Sequence, residues 1–303
     1  MMAKIKTKQG FIKFMESTIE EKRNAGRIRT AETYFSSLNS FCKFLDNNNL
    51  HFNEINSGLM VSYESYLRDK GTSPNSSSFY MRTLRAVYNR AADKGLIQQQ
   101  FPFRHVYTGI AKTVKRAIPL TAIKSLKELD LSQNTKLEFA RDMFLFSFFT
   151  RGMSIVDMAY LKKCNLNNGI LTYRRRKTGQ LLHIKWEDCM DEIVRKYTIP
   201  QNEYLLPLII SSSTLSSRQQ YLHSAHKINR SLKVTGARLG LSIPLTMYVA
   251  RHSWASIAKY TNVPISVISE GMGHNSEKTT LIYLSQLDNT AVDKANRKIL
   301  NLL

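Results

Sequence analysis

Apolar side chains return at three- and four-residue steps through most of the first hundred residues. Between positions 30 and 47, Phe35, Leu38, Phe41, Phe44 and Leu45 form one stripe with polar residues between them, which predicts an amphipathic helix. The same period predicts helices over 10–25, 54–70 and 76–94. The Asn47-Asn48-Asn49 run and Ser73-Pro74-Asn75 punctuate them as turns. A domain of four or five helices over residues 1–100 follows, with no catalytic constellation in it.

The periodicity lapses between Phe101 and Pro119, where Pro102, Gly109 and Pro119 bracket Arg104, Lys112, Lys115 and Arg116. Residues 101–119 read as a basic linker. Helical spacing returns over 121–129, 135–149 and 154–162, with Thr121 and Ser154 placed to cap the first and last of these. Two runs, 170–175 and 181–186, mix apolar and basic residues around Lys177-Thr178-Gly179-Gln180 and predict a hairpin. Helices resume over 189–197, 217–239, 247–260 and 264–272. Val292, Ala295, Ile299, Leu302 and Leu303 then predict an amphipathic helix over 291–303, able to pack on its own core or dock onto a neighbour. The second domain, 120–303, is expected to be mainly α with a small β-sheet.

Charge narrows the class. The 303 residues carry 44 Lys+Arg against 23 Asp+Glu, a formal net charge of +21, which suits a partner made of phosphates. A hydrophobic content of 43% excludes a disordered basic tail and allows two cores. In the first domain Lys22, Arg23, Arg27, Arg29, Arg82, Arg85 and Arg90 stand on helices or at their ends, where phosphate contacts position a duplex without reading it. Cys42, Cys164 and Cys189 lie far apart and form no C-x-x-C pair, so neither a zinc site nor a disulfide frame is expected. No stretch approaches the length of a membrane span, and no apolar run follows the first charges. A cytoplasmic protein without membrane contact is expected.

The chemistry concentrates between Tyr248 and Tyr283. Tyr248-x-x-Arg251-His252, Gly271-Met272-Gly273-His274 and a lone Tyr283 nine residues later supply the parts for covalent cutting of a phosphodiester. An arginine braces a pentacoordinate phosphorus, a histidine hydrogen-bonds or moves protons, and a phenol attacks. Tyr248, Arg251 and Ala255 fall on one helical stripe, which predicts that the first two side chains project together.

The three linked motifs, Ala250-Arg251-His252-Ser253-Trp254-Ala255, Gly271-Met272-Gly273-His274-Asn275-Ser276 and Thr279-Thr280-Leu281-Ile282-Tyr283, resemble the C-terminal signature of the tyrosine recombinases, the phage-integrase family. The resemblance implies a helical core-binding domain followed by an α+β catalytic domain, closing as a clamp on double-stranded DNA. It implies strand exchange through a 3′-phosphotyrosyl intermediate, with Tyr283 as nucleophile. Arg251, His274 and Tyr248 would then stabilise the transition state, and Lys177 of the hairpin would protonate the 5′ leaving oxygen. It also implies a homotetramer on DNA with the terminal helix exchanged between copies, and the need for accessory DNA-bending proteins is left open. Neither ATP, metal nor another cofactor is called for, because the bond energy is kept in the phosphotyrosine.

Two positions depart from the family pattern. Tyr248 stands where H-x-x-R has histidine; its phenol hydrogen-bonds a phosphate but shuttles protons poorly near neutral pH. In Gly152-Met153-Ser154-Ile155-Val156-Asp157-Met158, Ser154 holds the slot of the first catalytic arginine and Asp157 that of the acidic residue beside it. Arg175 and Arg151 are the candidate replacements. Alternate residues of a strand share a face, so Arg175 is expected to point with Lys177, and this favours Arg175. The Ser154 slot with Tyr173-x-Arg175-x-Lys177 is similar to recombinases of Bacteroidetes mobile elements. A type IB topoisomerase and a DNA-binding regulator that has lost catalysis remain the alternatives.

Overall fold

The computed structural model describes residues 10–46, 50–111, 116–284, 297 and 300. The chain divides into two compact units, Met1–Thr113 and Val114–Leu303. The first is built from α1 (Phe11–Asn24), α2 (Ile28–Leu45), α3 (Ser57–Asp69) and α4 (Pro74–Asp93), with a short 3₁₀ turn at Phe52–Glu54. Their starts are set locally. Asn56 accepts from the Leu59 amide at 3.0 Å to cap α3, and Ser73 caps α4 with Pro74 in its first turn. Such a cap contributes about 1 kcal/mol.

The buried face of these helices is aromatic. Phe11 meets Phe41 and Phe52 edge-on at 6.3 and 5.7 Å, and Phe41 meets Tyr63 at 4.9 Å. Tyr63, fully buried, donates to Ser40 Oγ at 2.8 Å, so its hydroxyl is not stranded in the core. Within the expected α2 stripe Leu38 and Phe41 are buried, whereas Phe35 is exposed, with the Arg23 guanidinium over its ring.

The segment from 101 to 111, expected to begin the linker, is fastened to the first unit. Phe103 and Val106 enter its core. Asn75 clamps Ala111 by donating to its carbonyl at 2.9 Å and accepting from its amide at 2.8 Å. Ser78 donates to the Gly109 carbonyl at 2.5 Å. Lys112 and Lys115 lie outside the described residues.

The second unit comprises α5 (Leu120–Glu128), α6 (Thr135–Phe149), α7 (Ile155–Ala159), α8 (Asp188–Tyr197), α9 (Ser217–Arg238), α10 (Met247–Tyr260), α11 (Ile265–Gly271) and α12 (Glu277–Leu284). A three-stranded antiparallel sheet, β1 (Leu166–Asn167), β2 (Ile170–Arg174) and β3 (Leu181–Lys185), lies between α7 and α8 in sequence. Met143, Phe144, Leu145 and Phe146 are buried in succession, so the later turns of α6 are apolar on every side and run through the core. It packs against α8, α9 and α10. Opposite pairs Leu171–Ile184 and Tyr173–Leu182 put one face of the hairpin into that core.

Several expected boundaries shift for visible reasons. Pro119 precedes α5 and Thr121 lies inside it, so Thr121 is not the cap. The helix expected over 154–162 stops at Ala159 because the following backbone is drawn into pairing: Lys162 bridges Tyr204, and Leu205 N donates to Leu161 O at 2.8 Å. Helix α12 was not anticipated. Of the terminal helix expected over 291–303, only Arg297 and Leu300 fall within the described residues. Among the described residues, no helix is long and apolar enough to cross a membrane.

Candidate functional site

The site begins with a tight turn after α6. Ser147 accepts from the Gly152 amide at 2.8 Å through its carbonyl and donates its hydroxyl to the Met153 carbonyl at 2.7 Å. Arg151 and Gly152 both take left-handed backbone, φ 60° and 73°. Arginine pays for that conformation by roughly 1–2 kcal/mol, whereas glycine does not. Glycine is needed at 152 for a second reason: a Cβ there would lie 2.7 Å from Arg251 Cα.

That close approach lets Arg251, in the first turns of α10 and only 5% exposed, reach backbone oxygens from two sides. It donates through Nη1 to Gly152 O at 2.8 Å and through Nη2 to Met272 O at 2.5 Å. Nη2 also lies 3.1 Å from His274 Nε2. The His274 Nδ1 is 2.8 Å from Thr280 Oγ1 on α12. Burial, then the positive charges of Arg251, Arg175 and Lys177, push the His274 pKa down from 6.5 to about 4, so the ring is neutral at physiological pH.

The β2–β3 turn brings the second cation. Leu171, Tyr173 and Arg175 alternate inward, and Arg175 is 6% exposed although β2 itself ends at Arg174. Its Nη1 donates to Gly273 O, and Thr178 Oγ1 donates to the same carbonyl at 3.3 Å. The buried Arg175 Nε has no hydrogen-bond partner among the described residues. Gly273 is left-handed, φ 63°, and a Cβ there would meet Leu182 Cδ1 at 2.9 Å.

The turn is anchored by the acidic residue three positions after Ser154. Buried Asp157 accepts from Arg176 N at 2.9 Å and from Ser154 Oγ at 2.6 Å. Ser154 therefore acts as the cap of α7 and the partner of Asp157, and brings no positive charge. The Arg176 side chain lies over the Tyr160 ring at 3.8 Å. Tyr173, behind Arg175, has its phenol pKa pushed up by burial and by the Asp157 carboxylate. Arg251, Arg175 and Arg151 oppose that shift, so three guanidinium groups act on one buried phenol.

Of the expected residues, Arg251, His274 and Arg175 come together, and the others are placed differently. The strand alternation that was to carry Lys177 alongside Arg175 ends at Arg174, and Lys177 is exposed on the turn. Its charge still reaches His274. Tyr248 and Arg251 do not project together: Tyr248 is 52% exposed and Arg251 is buried. The Tyr248 ring stands edge-on to His252 at 4.3 Å. Arg151 is half-buried, and its Cδ would be 3.6 Å from a Cβ on Gly271. Tyr283 belongs to α12, but its side chain lies outside the described residues. Thr178, Thr280 and the carbonyls of Gly152, Met272 and Gly273 join the cluster without having been singled out. Only Thr280 left a trace in the sequence, as a polar residue three positions before Tyr283.

Two buried guanidinium groups, a neutral imidazole and an exposed lysine, with one buried carboxylate already engaged, define a site for an anion. Residues 10–106 match the phage integrase SAM-like domain. No curated protein sequence matches the chain. Among solved structures, a lambda integrase fragment, in a dimer bound to a core site, is similar over 91% of this chain and 96% of its own, with a TM-score of 0.69 at 16% identity. Lambda integrase as a tetramer bound to a Holliday junction is similar over 89% and 76%, with a TM-score of 0.65 at 17% identity. The Tn1549 transposon integrase, bound to circular-intermediate DNA, is similar over 95% and 99%, with a TM-score of 0.67 at 14% identity. The chain carries a phage integrase SAM-like domain and has the fold of the tyrosine recombinases.

Proposed function

We propose that this protein is a site-specific DNA recombinase that cuts and rejoins strands through a 3′-phosphotyrosyl intermediate. The observation that carries the reading is the convergence of Arg251, Arg175 and His274 behind the helix that contains Tyr283. Backbone carbonyls orient both guanidinium groups, as an arginine pair that braces a phosphate requires. The orphaned Arg175 Nε supports Arg175, rather than Arg151, as the substitute for the missing first arginine.

In this reading Tyr283 attacks a backbone phosphorus, forming a phosphotyrosyl ester as the bond to the 5′ oxygen breaks. Arg251 and Arg175 brace the non-bridging oxygens, with His274 supporting Arg251, and Tyr248 adds a hydrogen bond from the rim of the site. Lys177, on the exposed turn, gives a proton to the leaving oxygen. One ester replaces another, so a partner strand's 5′-hydroxyl can reverse the step without ATP. Double-stranded DNA is the substrate, bound by both units, and a tetramer brings four sites to two duplexes.

The test incubates wild type and Tyr283→Phe with fragmented host DNA, denatures the mixture and sequences covalently attached fragments. Adducts at one short sequence with wild type alone are the expected result. Adducts with both proteins would remove Tyr283 from its role. A second reading, a DNA-binding regulator without catalysis, draws on Ser154, whose hydroxyl is committed to Asp157 where an arginine is usual. It predicts tight DNA binding with no adduct from either protein.

A further inference from the structure

We propose that Thr280 is a positioning residue: its hydroxyl holds His274 as the Nδ1–H tautomer, so that Nε2 accepts from Arg251, and the same bond registers α12 against the anion site. A guanidinium has donors only, so the 3.1 Å contact from Arg251 Nη2 requires a lone pair on His274 Nε2. A neutral imidazole carries one ring proton, which must then sit on Nδ1. The atom 2.8 Å from Nδ1 is Thr280 Oγ1, which accepts it.

The surroundings make this chain of bonds matter. Thr280 is fully buried and His274 is 9% exposed, so water does not readily replace the hydroxyl. The depressed pKa of His274 keeps the ring neutral, which is the state in which a tautomer choice exists. With valine at 280, Nδ1–H would face a methyl group. Moving the ring proton to Nε2 instead would set it against the Arg251 donor. Either way Arg251 loses a support that serine would preserve.

Thr280 also lies within α12, one helical turn before Tyr283. The Thr280–His274–Arg251 relay therefore links the segment that bears the proposed nucleophile to the cation that holds the phosphate. Only this consequence for cleavage rests on the recombinase reading; the tautomer assignment stands on the geometry.

The experiment records long-range ¹H–¹⁵N correlations of the His274 ring in the ¹⁵N-labelled full chain at pH 7, for wild type, Thr280→Ser and Thr280→Val. Thermal melts and single-turnover cleavage of a nicked duplex are measured in parallel. Wild type and Thr280→Ser should show Nδ1 protonated and cleave alike. Thr280→Val should lose that signature and cleave about tenfold more slowly. Nε2 protonated in wild type, or a folded Thr280→Val with unchanged ring signals, would overturn the proposal. If Thr280→Val does not fold, the wild-type and serine spectra still decide it. If wild type shows Nδ1–H yet no protein forms a DNA adduct, the recombinase reading fails and the positioning of His274 by Thr280 stands.

Discussion

The two units bury different things. In the first, the described buried polar residues are all hydroxyl-bearing, Thr18, Ser37, Ser77, Ser78 and Thr83, around an aromatic core. In the second, Asp142, Asp157, Arg175, Arg251 and His274 are all buried. Taking a charge out of water costs several kcal/mol unless its hydrogen bonds are replaced, so buried charge is a poor way to gain stability. Asp142 is fully engaged by Arg141, Lys196 and Tyr197 and fits a structural role. The two arginines donate to backbone carbonyls instead, Arg175 to Gly273 and Arg251 to Gly152 and Met272. One unit buries rings and hydroxyls, and the other buries charge as well.

Glycine-to-alanine changes at two left-handed turns give the widest separation between the units. Gly26 has φ 70° and open space where a Cβ would stand, so Gly26→Ala should cost only about 1 kcal/mol. Gly152→Ala meets the Arg251 backbone as well and should cost about 3 kcal/mol or more, measured by urea unfolding of the full chain. Equal costs would mean that the α6–α7 turn yields more easily than its contacts indicate.

Acid should separate the units next. The folded His274 pKa, about 4, lies below the unfolded 6.5, so between those values the unfolded chain binds the extra proton. The stability contributed by neutral His274 is therefore present above about pH 6.5 and lost as pH falls toward 4. The second unit should melt at lower temperature over that window, and His274→Gln should flatten the dependence. A pH profile unchanged by the substitution would place the titration elsewhere.

The smallest stability effect carries the sharpest functional contrast. Arg175→Met should change stability by less than about 1 kcal/mol, or raise it, while abolishing the covalent adduct. In the first unit Arg90 pairs with Glu21 on a partly exposed surface. Arg90→Met should also cost less than about 1 kcal/mol yet leave adduct formation on saturating DNA intact. Loss of the adduct in both would erase the distinction between a cation for binding and a cation for chemistry.

What the sequence made legible follows the strength of its periodic signals. Helices α6 and α10 begin and end where their patterns do. Helix α12 was missed: eight residues, Glu277-Lys278-Thr279-Thr280-Leu281-Ile282-Tyr283-Leu284, contain three β-branched side chains and no repeating stripe. Phe103 and Val106 were hidden between Pro102 and Gly109, whose usual meaning is a loop. The site residues were read from motif spacing, but their exposure was not. Residues three apart on a helix diverge by about 60°, enough to put Arg251 inside and Tyr248 out. The end of β2 at Arg174 did the same to Arg175 and Lys177. The family model matches the first unit, while the motif chemistry lies in the second. The two sources of recognition were independent.

The carbonyls that hold Arg251 come from Gly152 and from Met272, the neighbour of Gly273, and both glycines are left-handed with no room for a Cβ. In terms of mutational tolerance, this makes the backbone socket the fixed part of the site and the side-chain cations the exchangeable part. A second arginine can be gained on a neighbouring element before the first is lost, as Arg151 and Arg175 already act on the same buried phenol. A Cβ at either glycine offers no such intermediate, because it strains a left-handed turn and strikes the arginine beside it, Arg251 Cα at 152 and Arg175 Cδ at 273. Lineages descending from this chain would be free to move their positive charges around the site long before they could change the two turns that seat them.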